Sequence, residues 1–312
     1  MPDCTAETIL SSFLPPVRDW FAETFGEPTP PQAQGWPAIQ RGEHTLILAP
    51  TGSGKTLAAF LWGIDQLFRE LDESADRRIS GSADRRIGGS ANPALPVTDF
   101  QLPIFPPQSP IPNPQSLAGI RLVYISPLKA LNNDIHRNLR VPLAGIRAKA
   151  DKMGLDLPYL NVAVRSGDTP QRDRQAMLRE PPHILITTPE SLYLLLTSPK
   201  AREMFRTVHT VIVDEIHTLA GNKRGVHLSL SLERLQHLAD APIQRIGLSA
   251  TIEPLDEAAR FLGGYEWREE SADQRVSESA NNELRMTNDE LANLPLPPSP
   301  PLPLSLSPRP VT

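Results

Sequence analysis

The stretch APTGSGKT, Ala49 to Thr56, constrains this chain more than any other eight residues in it. It follows a short apolar run, Thr45–Ala49 (TLILA), that reads as a buried strand. Beyond it Leu57, Phe60, Leu61, Ile64, Leu67, Phe68 and Leu71 recur at helical spacing and make one broad apolar stripe. Strand, glycine-rich turn and amphipathic helix in that order describe a phosphate-binding loop. The glycines let the backbone curl until its amides face an anion at the helix N-terminus. Thr51, Gly52, Ser53 and Gly54 form the curl. Lys55 is then the residue that reaches the β- and γ-phosphates, and the Thr56 hydroxyl is a Mg²⁺ ligand. The first position is Ala49, not the glycine of the usual pattern.

Other strand-like runs follow at Arg121–Ile125, Asn161–Val164, Ile184–Thr187, Val208–Val213 and Arg245–Leu248. Ser126-Pro127, Thr169-Pro170 and Thr188-Pro189 each read as a capping hydroxyl before a proline at the first helical position. Val226–Leu235 alternates like a strand, but its length and context favour a helix. Strands alternating with helices imply an α/β fold with a doubly wound parallel sheet, covered on both faces.

A second chemical signal is TVIVDEIH, Thr210 to His217, in which an apolar strand ends on Asp214 and Glu215. An acidic pair after a strand is, taken alone, most often a solvated helix start. Behind a phosphate-binding loop in the same chain it gains a purpose. One carboxylate orients a phosphate-bound Mg²⁺, and its neighbour accepts the proton of an attacking water. Asp214 suits the first role and Glu215 the second.

Five motifs now stand in order: APTGSGKT, SPLKALNND, TTPESL, DEIH and LSAT (248 to 251). Their order resembles that of superfamily II helicases. The flanking text is similar to the Lhr-like branch of the DEAD/DEAH-box group, in GWPAIQRGEHTLILAPTGSGKTLAAFLWGID, ISPLKALNNDIHRNL, GDTPQRDRQAML, HILITTPESLYLLL and GNKRGVHLSLSLERL. The likeness covers about residues 15–72 and 119–265. It implies a RecA-like lobe that takes ATP and Mg²⁺ and binds nucleic acid, a single strand or a duplex with a single-stranded end. By position it implies that Gln32 reads the adenine edge. It implies too that His217, Ser249 and Thr251 link ATP state to strand handling. Pro127, Leu128 and Lys129, with Thr187, Thr188, Pro189 and Glu190, match the family's strand-binding loops. Helix openings of that kind offer free amides to strand phosphates. Arg224 in GNKRG is a further candidate, a solvated loop arginine being the alternative.

The resemblance also implies more strand beyond GGYEW and then a second lobe whose arginines reach the γ-phosphate. The text after SAT carries no such arginine motif, so the sequence reads as one lobe with weak hydrolysis of its own. The rival readings are an ATP-gated strand-binding module that is not an enzyme, a lobe completed by a separately encoded partner, and a decayed gene product. A transporter ATPase would carry an LSGGQ-like helix before the acidic pair, and none stands here.

Composition bears on the remainder. Of the 34 prolines, eight fall in 93–114 and eight in 295–310, which sets those stretches apart from an otherwise globular chain. The octapeptide SADRRISG is written almost twice from Ser74, with a looser echo, SADQRVS, at 271–277. Residues 73–118 therefore read as a disordered repeat and proline-rich insertion, and 266–312 as a disordered low-complexity tail; 1–72 and 119–265 make up the lobe. The net charge of −5 argues against coating nucleic acid by bulk charge, though not against a local grip. One cysteine, Cys4, excludes an internal disulfide. With no membrane-length apolar run and no basic-then-apolar leader, a cytoplasmic protein is the expectation.

Overall fold

The computed structural model describes residues 9–83, 119–250, 254–269 and 304–308; for 73–83, 129–131, 133, 265–269 and 304–308 it describes the backbone only. Six strands form one sheet: β1 (Thr45–Leu48), β2 (Leu122–Ile125), β3 (Val162–Arg165), β4 (Ile184–Thr187), β5 (Thr210–Val213) and β6 (Gln244–Ser249). They lie in the order β1-β6-β5-β2-β4-β3, and each neighbouring pair is parallel. Strands buried on both faces need apolar residues at every position, which is why LVYI, ILIT and TVIV read as unbroken runs.

Alternation along each strand divides the core in two. Leu122, Tyr124, Ile184, Ile186 and Ile212 face one layer, made of α1 (Pro15–Phe25), α2 (Pro30–Gln40), α3 (Lys55–Ala83) and α4 (Lys129–Lys152). Val123, Ile125, Leu185, Val211 and Val213 face the other, made chiefly of α6 (Pro189–Thr197), α7 (Lys223–Leu238) and α8 (Leu255–Gly263). A short α5 (Gln171–Arg179), with no buried residue, joins β3 to β4. The doubly wound sheet expected from the sequence is present.

Polar groups fix the helices that carry the phosphate-binding loop. Trp36 Nε1 donates to Ala58 O at 3.0 Å and ties α2 to α3. Asp65, wholly buried in α3, accepts from Leu14 N at 2.6 Å and from Arg69 Nε at 2.7 Å, which fixes the start of α1. Five residues further along α3, Arg121 Nε donates to Glu70 Oε1 at 2.7 Å, and His209 Nε2 lies 3.3 Å from Glu70 Oε2. That cluster brings the last buried turn of α3 to the root of β2.

Several local expectations are corrected. α4 begins at Lys129 with Leu128 as its cap, not at Pro127 with Ser126, because Ser126 N still donates to Thr187 O and prolongs the β2–β4 ladder. α5 is capped by Pro170, not Thr169, whose hydroxyl already accepts from Ser166 N at 2.9 Å. Thr188 does cap α6, accepting from Ser191 N. Val226–Leu235 lies within helix α7. The backbone of α3 runs on to Ala83, beyond the last apolar position of its stripe, through the first repeat and into the second. In the tail, β8 (Leu304–Pro308) pairs antiparallel with β7 (Tyr265–Glu269), the LSLS alternation matching a strand. Residues 84–118 and the remainder of the tail lie outside the described residues. Among the described residues no helix is long and apolar enough to cross a membrane.

Candidate nucleotide and strand site

All five motifs leave the sheet at the carboxyl ends of its strands, the edge at which open α/β sheets bind ligands. β1, β6 and β5 are consecutive, so the loop after β1, Ser249 and Asp214 adjoin one another. The loops after β2 and β4 continue the same edge.

In the loop after β1, Gly52 and Gly54 take φ of 84° and 86°, which side-chain-bearing residues rarely adopt. A Cβ at Gly54 would sit 2.8 Å from Gln32 Nε2 and 3.2 Å from Thr29 Oγ1, so α2 presses directly on the loop. Lys55 opens α3, and its buried amine makes one long bond, 3.4 Å, to Pro50 O of its own loop. Ser53 Oγ and Thr29 Oγ1 are buried without a partner. Thr51 and Thr56 also line the cavity.

Gln32, in the first turn of α2, is buried. Its Oε1 accepts from Thr29 N at 2.9 Å and its Nε2 donates to Gly54 O at 3.3 Å, which fixes both the side chain and its amide orientation. The cavity of about 740 Å³ includes Phe25, Gln32, Gly52, Lys55, Asp214 and Glu215 in its wall. Orphaned hydroxyls, a weakly held ammonium and an open volume of this size suit a triphosphate, and carboxylates in the same cavity wall suit a divalent cation.

Asp214 is buried, with both oxygens engaged: Oδ1 accepts from Glu215 N at 2.8 Å, and Oδ2 accepts from the Tyr124 hydroxyl. Tyr124 escaped the sequence reading. Its signal was one hydroxyl in an otherwise apolar buried strand. Burial, then the negative charge of Asp214 and Glu215, pushes its pKa far above the ordinary phenol value, so it remains a donor. Glu215 is the one non-glycine residue with positive φ among those described, at 54°. The left-handed turn takes its side chain out of line with the strand, and costs on the order of 1 kcal/mol. Glu215 Oε2 lies 3.2 Å from His217 Nε2, and His217 Nδ1 lies 3.1 Å from Ser249 Oγ. Thr251 lies outside the described residues.

At the strand loops, Pro127, Thr188, Pro189, Glu190 and Arg224 come together. Thr187 and Thr188 are buried, and their hydroxyls point into the fold: Thr187 Oγ1 donates to Arg165 O at 2.7 Å, and Thr188 Oγ1 to Ser191 Oγ at 3.1 Å. Leu128 is exposed; the side chain of Lys129 is not described. Arg224 is neither a solvated loop residue nor a free cation. Its Nη2 donates to Pro127 O at 2.8 Å and to Glu190 Oε2 at 3.0 Å, and its Nε to Glu190 Oε1. The Arg224 hydrogen bond is also what holds the Glu190 carboxyl below its ordinary range. Gly225 makes the approach feasible, since a Cβ there would meet Leu219 O at 2.0 Å.

Comparison with known proteins agrees with this geometry. The chain is 49% identical over 255 residues to the Lhr helicase/probable uracil glycosylase of Mycolicibacterium smegmatis, covering 82% of this chain and 14% of that protein. It is 47% identical over 266 residues to the ATP-dependent helicase Lhr-Core of Methanothermobacter thermautotrophicus, covering 85% of this chain and 26% of the relative. Among solved structures, that of Mycobacterium smegmatis helicase Lhr bound to ssDNA and AMP-PNP superposes with a TM-score of 0.65 at 47% identity, over 82% of this chain and 27% of that one. The chain thus spans about a quarter or less of each of these relatives. The DEAD/DEAH box helicase model matches residues 29–259. A parallel sheet with a phosphate-binding loop, DEIH and SAT at one edge, and homology to the ATP-binding lobe of Lhr helicases, place this chain in the DEAD/DEAH box helicase family.

Proposed function

We propose that this lobe binds ATP with Mg²⁺ in the cavity after β1 and grips a nucleic-acid strand by its backbone along the loops after β2 and β4. The observation that carries the reading is that Lys55, Asp214 and Glu215, distant in sequence, share the wall of one cavity. Lys55 exchanges its long bond to Pro50 O for the β- and γ-phosphates. Thr56 and Asp214 would hold Mg²⁺, which supplies charge neutralisation at the phosphates. Glu215 takes the proton of the attacking water. Gln32 retains one acceptor site and one N–H after its two internal bonds, which matches the N6 donor and N7 acceptor of adenine and not the two acceptors of guanine.

The strand contacts fall to backbone amides and to Leu128 and Lys129, because the Thr187 and Thr188 hydroxyls are already engaged. Such contacts carry little sequence preference. No arginine is among the described residues of the cavity wall. An arginine acting on the γ-phosphate is worth roughly 10³ to 10⁵ in rate in related phosphoryl transfer. Stand-alone turnover is therefore slow, and an arginine-bearing second lobe, encoded elsewhere or in a longer form of the protein, restores it.

The test is ATP binding and hydrolysis by the purified chain, with and without single-stranded DNA. Saturable ATP binding lost in Lys55→Ala is the expected result. Absence of binding in the parent chain overturns the site assignment. Brisk turnover that Lys55→Ala abolishes overturns the assignment of slow hydrolysis.

A further inference from the structure

β2 contains one feature that packing alone does not explain. Its four residues, Leu122–Ile125, are all fully buried, and three are aliphatic. The fourth, Tyr124, places a phenolic oxygen in the interior, where an unpaired hydroxyl would cost about 1 to 3 kcal/mol and phenylalanine would cost nothing. The oxygen is paired, and its partner is the Asp214 carboxylate just past the end of the neighbouring strand. The ring stacks on Phe60, with centroids 5.0 Å apart and planes 29° from parallel. Phe60 lies one helical turn beyond Thr56 on α3. Tyr124 therefore spans from the helix that presents Lys55 and Thr56 to the carboxylate opposite them.

The arrangement leaves Asp214 little freedom. Oδ1 is held by Glu215 N, in the turn after β5, and Oδ2 by Tyr124 of β2, so the carboxylate plane is set before any ligand arrives. A carboxylate in a cavity wall with no such partners would rotate about χ2 and lose that orientation. The Phe60 stack fixes the phenol in turn, so that one aromatic ring links α3 to the Asp214 carboxylate.

We infer that Tyr124 is a positioning residue: its hydroxyl pre-orients Asp214 for the divalent cation that accompanies the bound nucleotide. The inference rests on the assignment of Asp214 to that cation. Tyr124 itself touches neither phosphate nor cation; it acts through the carboxylate.

The test uses the whole chain and a binding readout. ATP affinity is measured by calorimetry across a Mg²⁺ titration for the parent, Tyr124→Phe, Asp214→Asn and the double variant. Tyr124→Phe keeps the ring and its stack and removes only the hydroxyl. The Mg²⁺ concentration for half-maximal tightening of ATP binding is expected to rise about tenfold, in line with losses at other residues that orient metal ligands. Affinity without Mg²⁺ is expected to remain within twofold. In the double variant Tyr124→Phe should add nothing to Asp214→Asn, since its effect passes through that carboxylate. If Asp214→Asn shifts the Mg²⁺ midpoint and Tyr124→Phe does not, the positioning role is wrong while the cation assignment stands. If Asp214→Asn leaves the midpoint unchanged, the cation assignment fails and this inference with it. A Tyr124→Phe chain that merely loses thermal stability, or weakens ATP binding equally with and without Mg²⁺, marks a packing role and also overturns it.

Discussion

His217 stands between two motifs, its Nδ1 3.1 Å from Ser249 Oγ and its Nε2 3.2 Å from Glu215 Oε2. The carboxylate can only accept, so a hydrogen bond to it uses the proton on Nε2, while Nδ1 meets the Ser249 hydroxyl. One imidazole thus bridges the Glu215 side chain and the end of β6. Coupling between two ligands is reciprocal and commonly amounts to 5- to 150-fold in affinity. In His217→Ala, ATP should bind within about twofold of the parent while single-stranded DNA no longer changes ATP affinity. ATP titrations with and without an oligonucleotide measure this, and unchanged coupling removes His217 from the linkage.

Gly54 is held from two directions, by its φ of 86° and by Gln32 Nε2 and Thr29 Oγ1 at its vacant Cβ position. Gly54→Ala should cost about 1 to 3 kcal/mol of stability. It should weaken ATP binding by more than tenfold, because Gln32 can move only by giving up its bonds to the loop. Thermal unfolding together with calorimetry separates the two losses, and a stable variant with parental ATP affinity counts against the packing argument.

Arg224 joins the loop after β2 to the first turn of α6, and Glu190 already neutralises its charge. Arg224→Ala should therefore weaken single-stranded DNA binding about three- to tenfold by loosening the loops. The slope of log affinity against log salt should stay the same. A direct phosphate contact would instead lower that slope by about one charge. Binding isotherms at several salt concentrations decide between them.

Acid should destabilise the lobe in two stages. His183 is buried, and burial, then the Arg121 charge, depresses its pKa below its ordinary 6.5. At Glu70 burial acts upward, but the His209 and Arg121 contacts outweigh it and lower the pKa from 4.5; Glu190 is lowered as well. For each of these groups the unfolded chain binds a proton that the folded chain resists. Stability is thus full above the ordinary value and falls as pH drops through the depressed one. The histidine contribution begins to go below about pH 6.5, and the carboxylate contribution below about pH 4.5. His136, also lowered, shares the first window. Urea midpoints between pH 7.5 and 4 should show His183→Gln flattening the first stage and leaving the second.

How much of this was legible depended on how local each cause is. The strands were, because burial on both faces writes itself as runs such as ILIT and TVIV. So was the nucleotide loop, since its glycines, Lys55 and Thr56 are adjacent. The start of α4 was not, because the ladder bond from Ser126 to Thr187 that delays it comes from a strand 60 residues away. Tyr124 escaped for the same reason, and Arg224, named as a candidate, could not be told from a solvated loop arginine. Each acquires its role from a partner that only the strand order β5-β2-β4 brings near. Gln32 was found by family position; its bond to Thr29 N is local to the start of α2, but its bond to Gly54 O, which completes the fixing of the amide, could be seen only once α2 lay against the loop.

The Glu70–Arg121–His209 cluster turns the interval between α3 and β2 into a docking port for foreign sequence. With both sides of the port pinned, the sheet registers whatever is strung between them mainly as a ring to be closed. Each doubling of such a ring costs only about 0.6 kcal/mol. A reporter domain spliced there should leave the nucleotide cavity unmoved, so long as the clasp survives.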